Sequence, residues 1–307
     1  MTSPFGPATL IVNPRAGRGR VADELADIER TLLANKLEYR IRRTEGPGEA
    51  VRLTRDSLER GDRFVVAVGG DGTVHEVVNG MFDGDRPIAK DAVLGVVAAG
   101  SGCDFIKTFG LPQDVTRAVR HLTGDNLFPI DVGKVTYRDH DGRDVTRLFP
   151  NIAEAGLGGD SVARADRLPR WFGRSRYFWG FWLAVRKFKA VEIRLTADER
   201  EWTGRGNNVV VANCQFFGGG MKISPRSMPA DGKLDVQVST GPKSDSFTTL
   251  PKIYKGEHLP SPKIKEFLAA KVTVDADRPL RIEADGEVLG FTPATFEVIP
   301  ESVRLKI

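Results

Sequence analysis

Four apolar residues, Val65-Val66-Ala67-Val68, run directly into Gly69-Gly70-Asp71-Gly72-Thr73, and a helical pattern starts at Thr73. A buried strand, a glycine turn and a helix N-terminus in that order can hold an anion. Backbone N–H groups face outward, the helix dipole adds partial positive charge, and missing β-carbons let a phosphate approach closely. The loop is not a Walker A element, since it lacks the Gly-Lys-Ser/Thr ending, and its glycines do not have the G-x-G-x-x-G spacing of dinucleotide sites. Asp71 would repel phosphate unless a cation intervened, so the acid suggests Mg²⁺ carried with a triphosphate. A plain helix entry capped by Asp71 or Thr73 accounts for the same residues.

Two further loops share this grammar. Ala8–Val12 reads as a strand, followed by Asn13-Pro14-Arg15-Ala16-Gly17-Arg18-Gly19-Arg20 and a helix from Val21 to about Ala34; the three arginines put positive charge where an anion would sit. Leu94–Ala99 reads as another buried strand, ending in Gly100-Ser101-Gly102 before a helix that opens with Cys103-Asp104. Between them, Leu37–Arg43 forms a strand ending at Thr44, and Gly46-Pro47-Gly48 precedes a helix to about Arg60. Strands alternating with helices predict a parallel sheet with right-handed crossovers. Ligands bind beyond the carboxyl ends of such strands, the edge at which the three glycine loops and Thr44 fall.

Near Leu127 the pattern changes to short strand-like segments separated by turns, which predicts an antiparallel β-sandwich. Helical insertions are expected over about Asp160–Lys189 and Asp245–Lys255. The expected fold is therefore an N-terminal parallel α/β domain over residues 1–128 and a β-rich domain over 129–307. The last strand, near 297–307, has the first domain as its alternative home. Asp285-Gly286-Glu287 reads from spacing as a hairpin turn between LRIEA and VLGF, and Asp231-Gly232 reads as a plain turn.

The chain has 307 residues, 40% hydrophobic and 28% charged, within the range of globular proteins. A formal charge of +4 is too slight to indicate nucleic acid, and none is expected as a partner. No segment reaches membrane-spanning length without a charge or turn residue, so a cytoplasmic location is expected. Cys103 and Cys214 lie far apart, and neither they nor the four histidines have metal-type spacing. From Arg164 to Lys189, eight basic residues face a single acid, Asp166, among many aromatics. Phe178, Phe181, Trp182 and Val185 have the spacing of a core-facing helical stripe. Arg164, Arg167, Arg170, Trp171, Arg174 and Arg176 would suit an anionic membrane surface. Oligomeric state is open, a homodimer included.

With these motifs assembled, the chain resembles the diacylglycerol kinase catalytic-domain family, which is shared by bacterial lipid kinases and by sphingosine and ceramide kinases. The resemblance spans nearly the whole length. It rests on Asn13-Pro14 with Gly17, on Gly69-Gly70-Asp71-Gly72-Thr73 with Glu76 and Asn79, on Gly100 to Phe105, on Asp231-Gly232-Lys233-Leu234-Asp235, and on Asp285-Gly286-Glu287. Family members commonly carry asparagine where Cys103 stands, so a polar contact there is lost or supplied otherwise. The resemblance implies a nucleotide domain like those of NAD kinases and phosphofructokinases, with the active site in the cleft against the β-rich domain.

It also implies ATP and Mg²⁺ as cofactors. ATP would be bound by Asn13, Pro14, Arg15, Ala16 and Gly17, by Thr44, by Gly70, Asp71, Gly72, Thr73, Val74, His75 and Glu76, and by Ser101. Asp71 and Glu287 would be catalytic, Glu287 as the general base that takes the lipid hydroxyl proton. A structural Mg²⁺ would map to Asp231, Met228 and Lys233, although Ala230 stands where relatives often have a second acid. The implied reaction transfers the γ-phosphoryl of ATP to a membrane lipid, diacylglycerol first, by an enzyme associated peripherally with the inner membrane face. A sphingoid or ceramide kinase, an NAD kinase and an inactive nucleotide- or lipid-binding regulator are the alternatives.

Overall fold

The computed structural model describes residues 3–99, 103–169 and 175–307. By internal packing the chain forms two units, Met1–Val132 with Ile299–Ile307, and Gly133–Val298.

In the first unit, β1 (Ala8–Val12), β2 (Tyr39–Arg43), β3 (Phe64–Gly69) and, later in the chain, Val93–Ala98 form a parallel sheet, with β1 lying between β2 and β3. β1 and β3 are buried at every position, as strands covered on both faces must be. The covering helices are α1 (Arg20–Ala34), α2 (Glu49–Glu59), α3 (Asp71–Gly80), the single turn α4 (Phe105–Thr108) and α5 (Val115–Arg120). α1 sends Val21, Leu25, Ile28 and Leu32 into the sheet's core, one apolar residue per turn. A small hairpin, β4 (Phe82–Asp83) with β5 (Arg86–Pro87), precedes the Val93–Ala98 strand, β6. The chain then leaves this unit along β7 (Leu127–Arg138).

The second unit is antiparallel. It contains β8 (Asp144–Phe149), β9 (Ile152–Gly156), β10 (Val191–Ala197), β11 (Arg200–Gly206), β12 (Asn208–Ala212), β13 (Leu234–Ser239), β14 (Ile264–Ala269), β15 (Lys271–Ala276), β16 (Arg281–Ala284) and most of the long β17 (Glu287–Lys306). One set runs β14-β13-β12-β9-β16-β17, while β15 joins β17 to β10 and β11. Inward residues of both sets, among them Ile193 and Leu195, Val209 and Val211, Val236, Val272 and Phe296, make one core. β10 shows the two-residue period of a half-buried strand, with Val191, Ile193, Leu195 and Ala197 inward. The end of β17 pairs in parallel with β6 through Arg304 and Leu305.

The helical stretch expected over Asp160–Lys189 is two helices, α6 (Leu157–Asp166) and α7 (Ser175–Lys187). They pack closely at Gly180, where an added β-carbon would come within 2.6 Å of the Ser161 carbonyl oxygen. The inward stripe expected of Phe178, Phe181, Trp182 and Val185 is corrected in part. Val185 is buried with Ala184, whereas Phe178 and Trp179 are 52% and 49% exposed. α8 (Ser246–Lys255) ends at Gly256, whose φ of 71° gives the left-handed stop. Arg170, Trp171 and Arg174 lie outside the described residues, as does Ser101. No described helix is long and apolar enough to cross a membrane.

Candidate active site

The turn from β3 to α3 is built by glycine where a side chain would not fit. A β-carbon on Gly69 would overlap the Thr73 hydroxyl, so the strand can hand over to the helix only with glycine at this position. Gly70 is extended (φ −105°, ψ −167°) and Asp71 is the first helical residue. Among the described residues, nothing lies within 4 Å of a β-carbon added at Gly72. A helix start with room in front of its N–H groups is suited to an anion.

The first loop is tied to this turn at the carboxyl ends of adjacent strands. Asn13 donates its backbone N–H to Val68 O at 3.1 Å and its amide Nδ2 to Thr73 Oγ1 at 3.4 Å, while its Oδ1 accepts from Arg15 N–H at 3.1 Å. Gly17, Arg18 and Gly19 all have φ between 60° and 91°, a left-handed run that glycine makes accessible. Pro14 and Ala16 are partly covered and the Arg15 side chain is exposed. Thr44, buried, donates its N–H to Val12 O at 2.9 Å and lies at the same edge.

Asp71 is taken up by the chain itself. Its carboxylate accepts from Asp104 N–H at 2.8 and 3.0 Å and from Phe105 N–H at 3.0 Å, and the Cys103 thiol donates to Oδ1 at 3.3 Å. The acid sits on the first turn of α3 and receives the N–H groups that open α4, where negative charge is favoured on both counts. Burial, and then the charge of Asp104, push its carboxyl up, and the three donors oppose that shift. Burial pushes the Cys103 thiol well up, so it keeps its proton and can donate. The thiol thus supplies a polar contact at this position. Asp104 is buried and receives Lys107 Nζ at 2.7 Å.

Three residues expected around the nucleotide turn their side chains elsewhere. Val74 and His75 are 1% and 3% exposed, and His75 has Asn79 as a neighbour, its carbonyl accepting from Asn79 Nδ2 at 2.9 Å. Only their backbone could face a ligand. Glu76 accepts from Gly48 N–H and Ala50 N–H, each at 3.0 Å, and so closes the N-terminus of α2. A cap supplied from another helix has no local signature, because Glu76 and Gly48 are distant in sequence. Asp104, expected at the start of α4, donates its N–H to Asp71, a contact its position in the sequence does not signal.

In the second unit, Asp285 and Gly286 take φ of 50° and 87°, the left-handed pair a two-residue hairpin requires. The turn is tied down twice. Asp285 donates its N–H to Ile152 O and accepts from Ile152 N–H at Oδ1, both at 2.9 Å, and Gly286 N–H donates to Glu283 Oε2 at 2.9 Å. Glu287, paired opposite Ala284, is exposed just past the turn.

At the expected metal segment, Asp231 Oδ1 accepts from Lys233 N–H at 2.9 Å, Met228 O accepts from Ala230 N–H at 2.8 Å, and Lys233 Nζ reaches Asp198 Oδ2 at 3.2 Å. Burial, with the charge of Asp231, raises the pKa of the neighbouring Asp235 carboxyl. Among the described residues no three His, Cys, Asp or Glu side chains converge on a metal position. One carboxylate with backbone carbonyls fits only a Mg²⁺ that keeps most of its water.

Residues 7–135 match the diacylglycerol kinase catalytic domain, and residues 151–307 match the YegS C-terminal NAD kinase beta sandwich-like domain. The chain is 26% identical to the diacylglycerol kinase of Bacillus subtilis over 292 residues, covering 94% of this chain and 92% of that one. It is 27% identical to the diacylglycerol kinase of Mycobacterium tuberculosis over 316 residues, covering 98% and 95%. The crystal structure of a diacylglycerol kinase from Bacillus anthracis superposes with a TM-score of 0.75 at 24% identity, covering 99% of this chain and 97% of that one. The phosphate-type loops of the first unit and the Asp-Gly-Glu hairpin of the second therefore lie within matched domains, and the chain belongs to the diacylglycerol kinase catalytic-domain family of lipid kinases, enzymes that draw their phosphoryl group from ATP.

Proposed function

We propose that this lipid kinase phosphorylates diacylglycerol to phosphatidic acid. The observation that carries the reading is the likeness, along more than nine-tenths of the chain, to relatives named diacylglycerol kinases. The loop and helix start at Gly70, Asp71, Gly72 and Thr73, with Asn13 and Gly17, hold the ATP phosphates, and Thr44 lines the nucleotide. Mg²⁺ bound with ATP would neutralise phosphate charge, and Asp71, whose carboxylate is held by Asp104 and Phe105 N–H, fixes the loop that faces the phosphates. Asp231 with the carbonyls of Met228 and Lys233 would hold a second, structural Mg²⁺. Glu287 accepts the proton of the lipid hydroxyl as its oxygen bonds to the γ-phosphorus and the bond to ADP breaks. General-base catalysis of this kind contributes roughly 10²–10⁴-fold.

The enzyme meets its lipid at the surface of a bilayer, on the inner membrane face. Supporting this are the exposed Phe178, Trp179 and Leu183 of α7 and Phe247 and Tyr254 of α8. Trp182 stacks on Phe247 at 4.2 Å, joining the two helices. Arg186, Lys187, Lys252 and Lys255 are exposed on the same helices, giving the mixture of interfacial aromatics and cations that anionic headgroups favour.

Purified protein with labelled ATP, Mg²⁺ and mixed micelles of diacylglycerol, a sphingoid base or ceramide, with NAD in parallel, tests the substrate. Label in phosphatidic acid supports the reading. Label in another lipid or in NADP moves the substrate, and no labelled product sinks the proposal.

A further inference from the structure

Glu154 of β9 and Glu283 of β16 stand directly opposite each other in an antiparallel pairing, so their side chains leave the sheet on the same face. They are 5% and 2% exposed. Two carboxyls placed this way cannot both ionise at low cost, because each has lost its hydration and each repels the other.

Each is nevertheless held in place. Glu154 Oε1 accepts from Asn208 Nδ2 at 2.7 Å, and Asn208 Oδ1 accepts from Gly158 N–H on α6 at 2.9 Å. A β-carbon on Gly158 would overlap the Glu154 carboxyl, so glycine is what leaves room for the acid. Glu283 Oε2 accepts from Gly286 N–H in the hairpin at 2.9 Å. Among the described residues, the charged groups around the pair do not neutralise it. Arg281, on the same strand as Glu283, is engaged by Asp160 of α6 at 3.2 Å and lies over the Phe291 ring at 4.8 Å. Asp285 adds negative charge beside Glu283, and Glu287 closes the hairpin. Burial raises the Glu154 carboxyl to about 7, and burial together with the charge of Glu154 raises that of Glu283 well above the usual range.

We propose that Glu154 and Glu283 retain at least one proton between them at neutral pH, and that the pair so neutralised positions the 285–287 hairpin through the Glu283 bond to Gly286. Neither is a catalytic residue. They act on Glu287, and that part of the inference rests on Glu287 being the proton acceptor. When the second carboxyl ionises, repulsion drives Glu283 away from Glu154 and loosens its hold on Gly286. Both groups are raised in the fold, so their stabilising effect is complete below the ordinary glutamate range and is lost as pH rises through about 7.

The test uses the full chain and Glu154→Gln, which keeps shape and an acceptor for Asn208 but removes one ionisation. Three profiles are measured from pH 5 to 9: thermal unfolding, amide exchange across 283–287, and kcat for lipid phosphorylation. The wild type is expected to lose Tm as pH rises from 5 through about 7 and to gain exchange as the second carboxyl ionises, with kcat falling by up to about tenfold per pH unit. The variant, in which Glu283 alone remains to ionise, loses less than the wild type as pH rises, matches its Tm at pH 5 and exceeds it by roughly 2–5 °C at pH 8.5, with KM for ATP unchanged. Glu283→Gln, which keeps an acceptor for Gly286, gives the same flattening and serves if the first variant does not fold.

Identical Tm and exchange profiles in wild type and variants overturn the shared proton. Flattened Tm with an unaltered kcat profile overturns the positioning role. If the wild type phosphorylates no lipid, the proposed function fails while Tm and exchange still decide the pair.

Discussion

The Cys103 thiol donates to Asp71 Oδ1 at 3.3 Å, alongside the N–H groups of Asp104 and Phe105. Asp71 therefore does structural work at the start of α4 as well as standing at the start of α3. Replacing it with asparagine removes the charge and leaves only one acceptor oxygen for three donors. Asp71→Asn is expected to cost about 1.5–3 kcal/mol, the range for hydrogen bonds to a charged group. Cys103→Val, similar in size but without the donor, costs about 1 kcal/mol, and Cys103→Asn restores a donor and much of that loss. Urea unfolding of the three variants checks the order, and a stable Asp71→Asn would show that its donors find other partners.

Glu76 bridges two helices, holding Gly48 and Ala50 N–H with its two oxygens. Glu76→Ala leaves the first turn of α2 without its cap, at a cost of about 1–2 kcal/mol. Amide exchange should accelerate at Gly48 and Ala50 and stay unchanged at the β3 strand. An exchange change spread evenly over the first unit would contradict a local cap.

Acid should destabilise the first unit through His121. Burial, with the nearby charge of Lys306, lowers its pKa to about 4. A depressed histidine favours the neutral ring in the fold. Its stabilising effect is complete above the unfolded value near 6.5 and is lost as pH falls toward 4, by an amount on the order of 3 kcal/mol. Denaturant titrations at pH 7 and pH 4.5 should show the wild type losing stability relative to His121→Leu as pH falls, by up to that amount. The slope is opposite in sign to that of the Glu154–Glu283 pair, so the two effects offset each other from the ordinary glutamate range up to about 6.5, and His121→Leu separates them.

Vesicle binding tests the helical surface of the second unit. Phe178→Ser with Phe247→Ser removes two exposed rings, of which Phe247 also stacks on Trp182. Lys187→Gln, Lys252→Gln and Lys255→Gln remove charge from α7 and α8. Both sets are expected to weaken binding to anionic vesicles several-fold, and only the charge set should remove salt sensitivity. Binding equal to wild type in both would place the membrane contact elsewhere.

The sequence revealed backbone-built features better than side-chain contacts. Val65–Val68 and Gly69–Thr73 announce strand, turn and helix because glycine and β-branched residues restrict local geometry, and Asp285-Gly286 announces its hairpin for the same reason. Glu76 on Gly48 and Glu154 opposite Glu283 were not legible. They join residues far apart in the chain, and their meaning depends on burial that neither side chain advertises. The stripe from Phe178 to Val185 misled because helical spacing marks a face without saying what covers it; Val185 is buried and Phe178 exposed.

Glu287 gives the sharpest test of the chemistry. It is exposed past a turn tied through Asp285 to Ile152 and through Gly286 to Glu283, so changing its head group leaves those bonds in place. Glu287→Gln keeps size and polarity but cannot take a proton from an alcohol. It should fold with a wild-type Tm and bind ATP with unchanged affinity while kcat falls by about 10²-fold or more. Removal of a group acting only in the transition state lowers kcat and kcat/KM together. A fall confined to KM for the lipid would recast Glu287 as a substrate-binding group, and wild-type kcat would place the proton acceptor elsewhere.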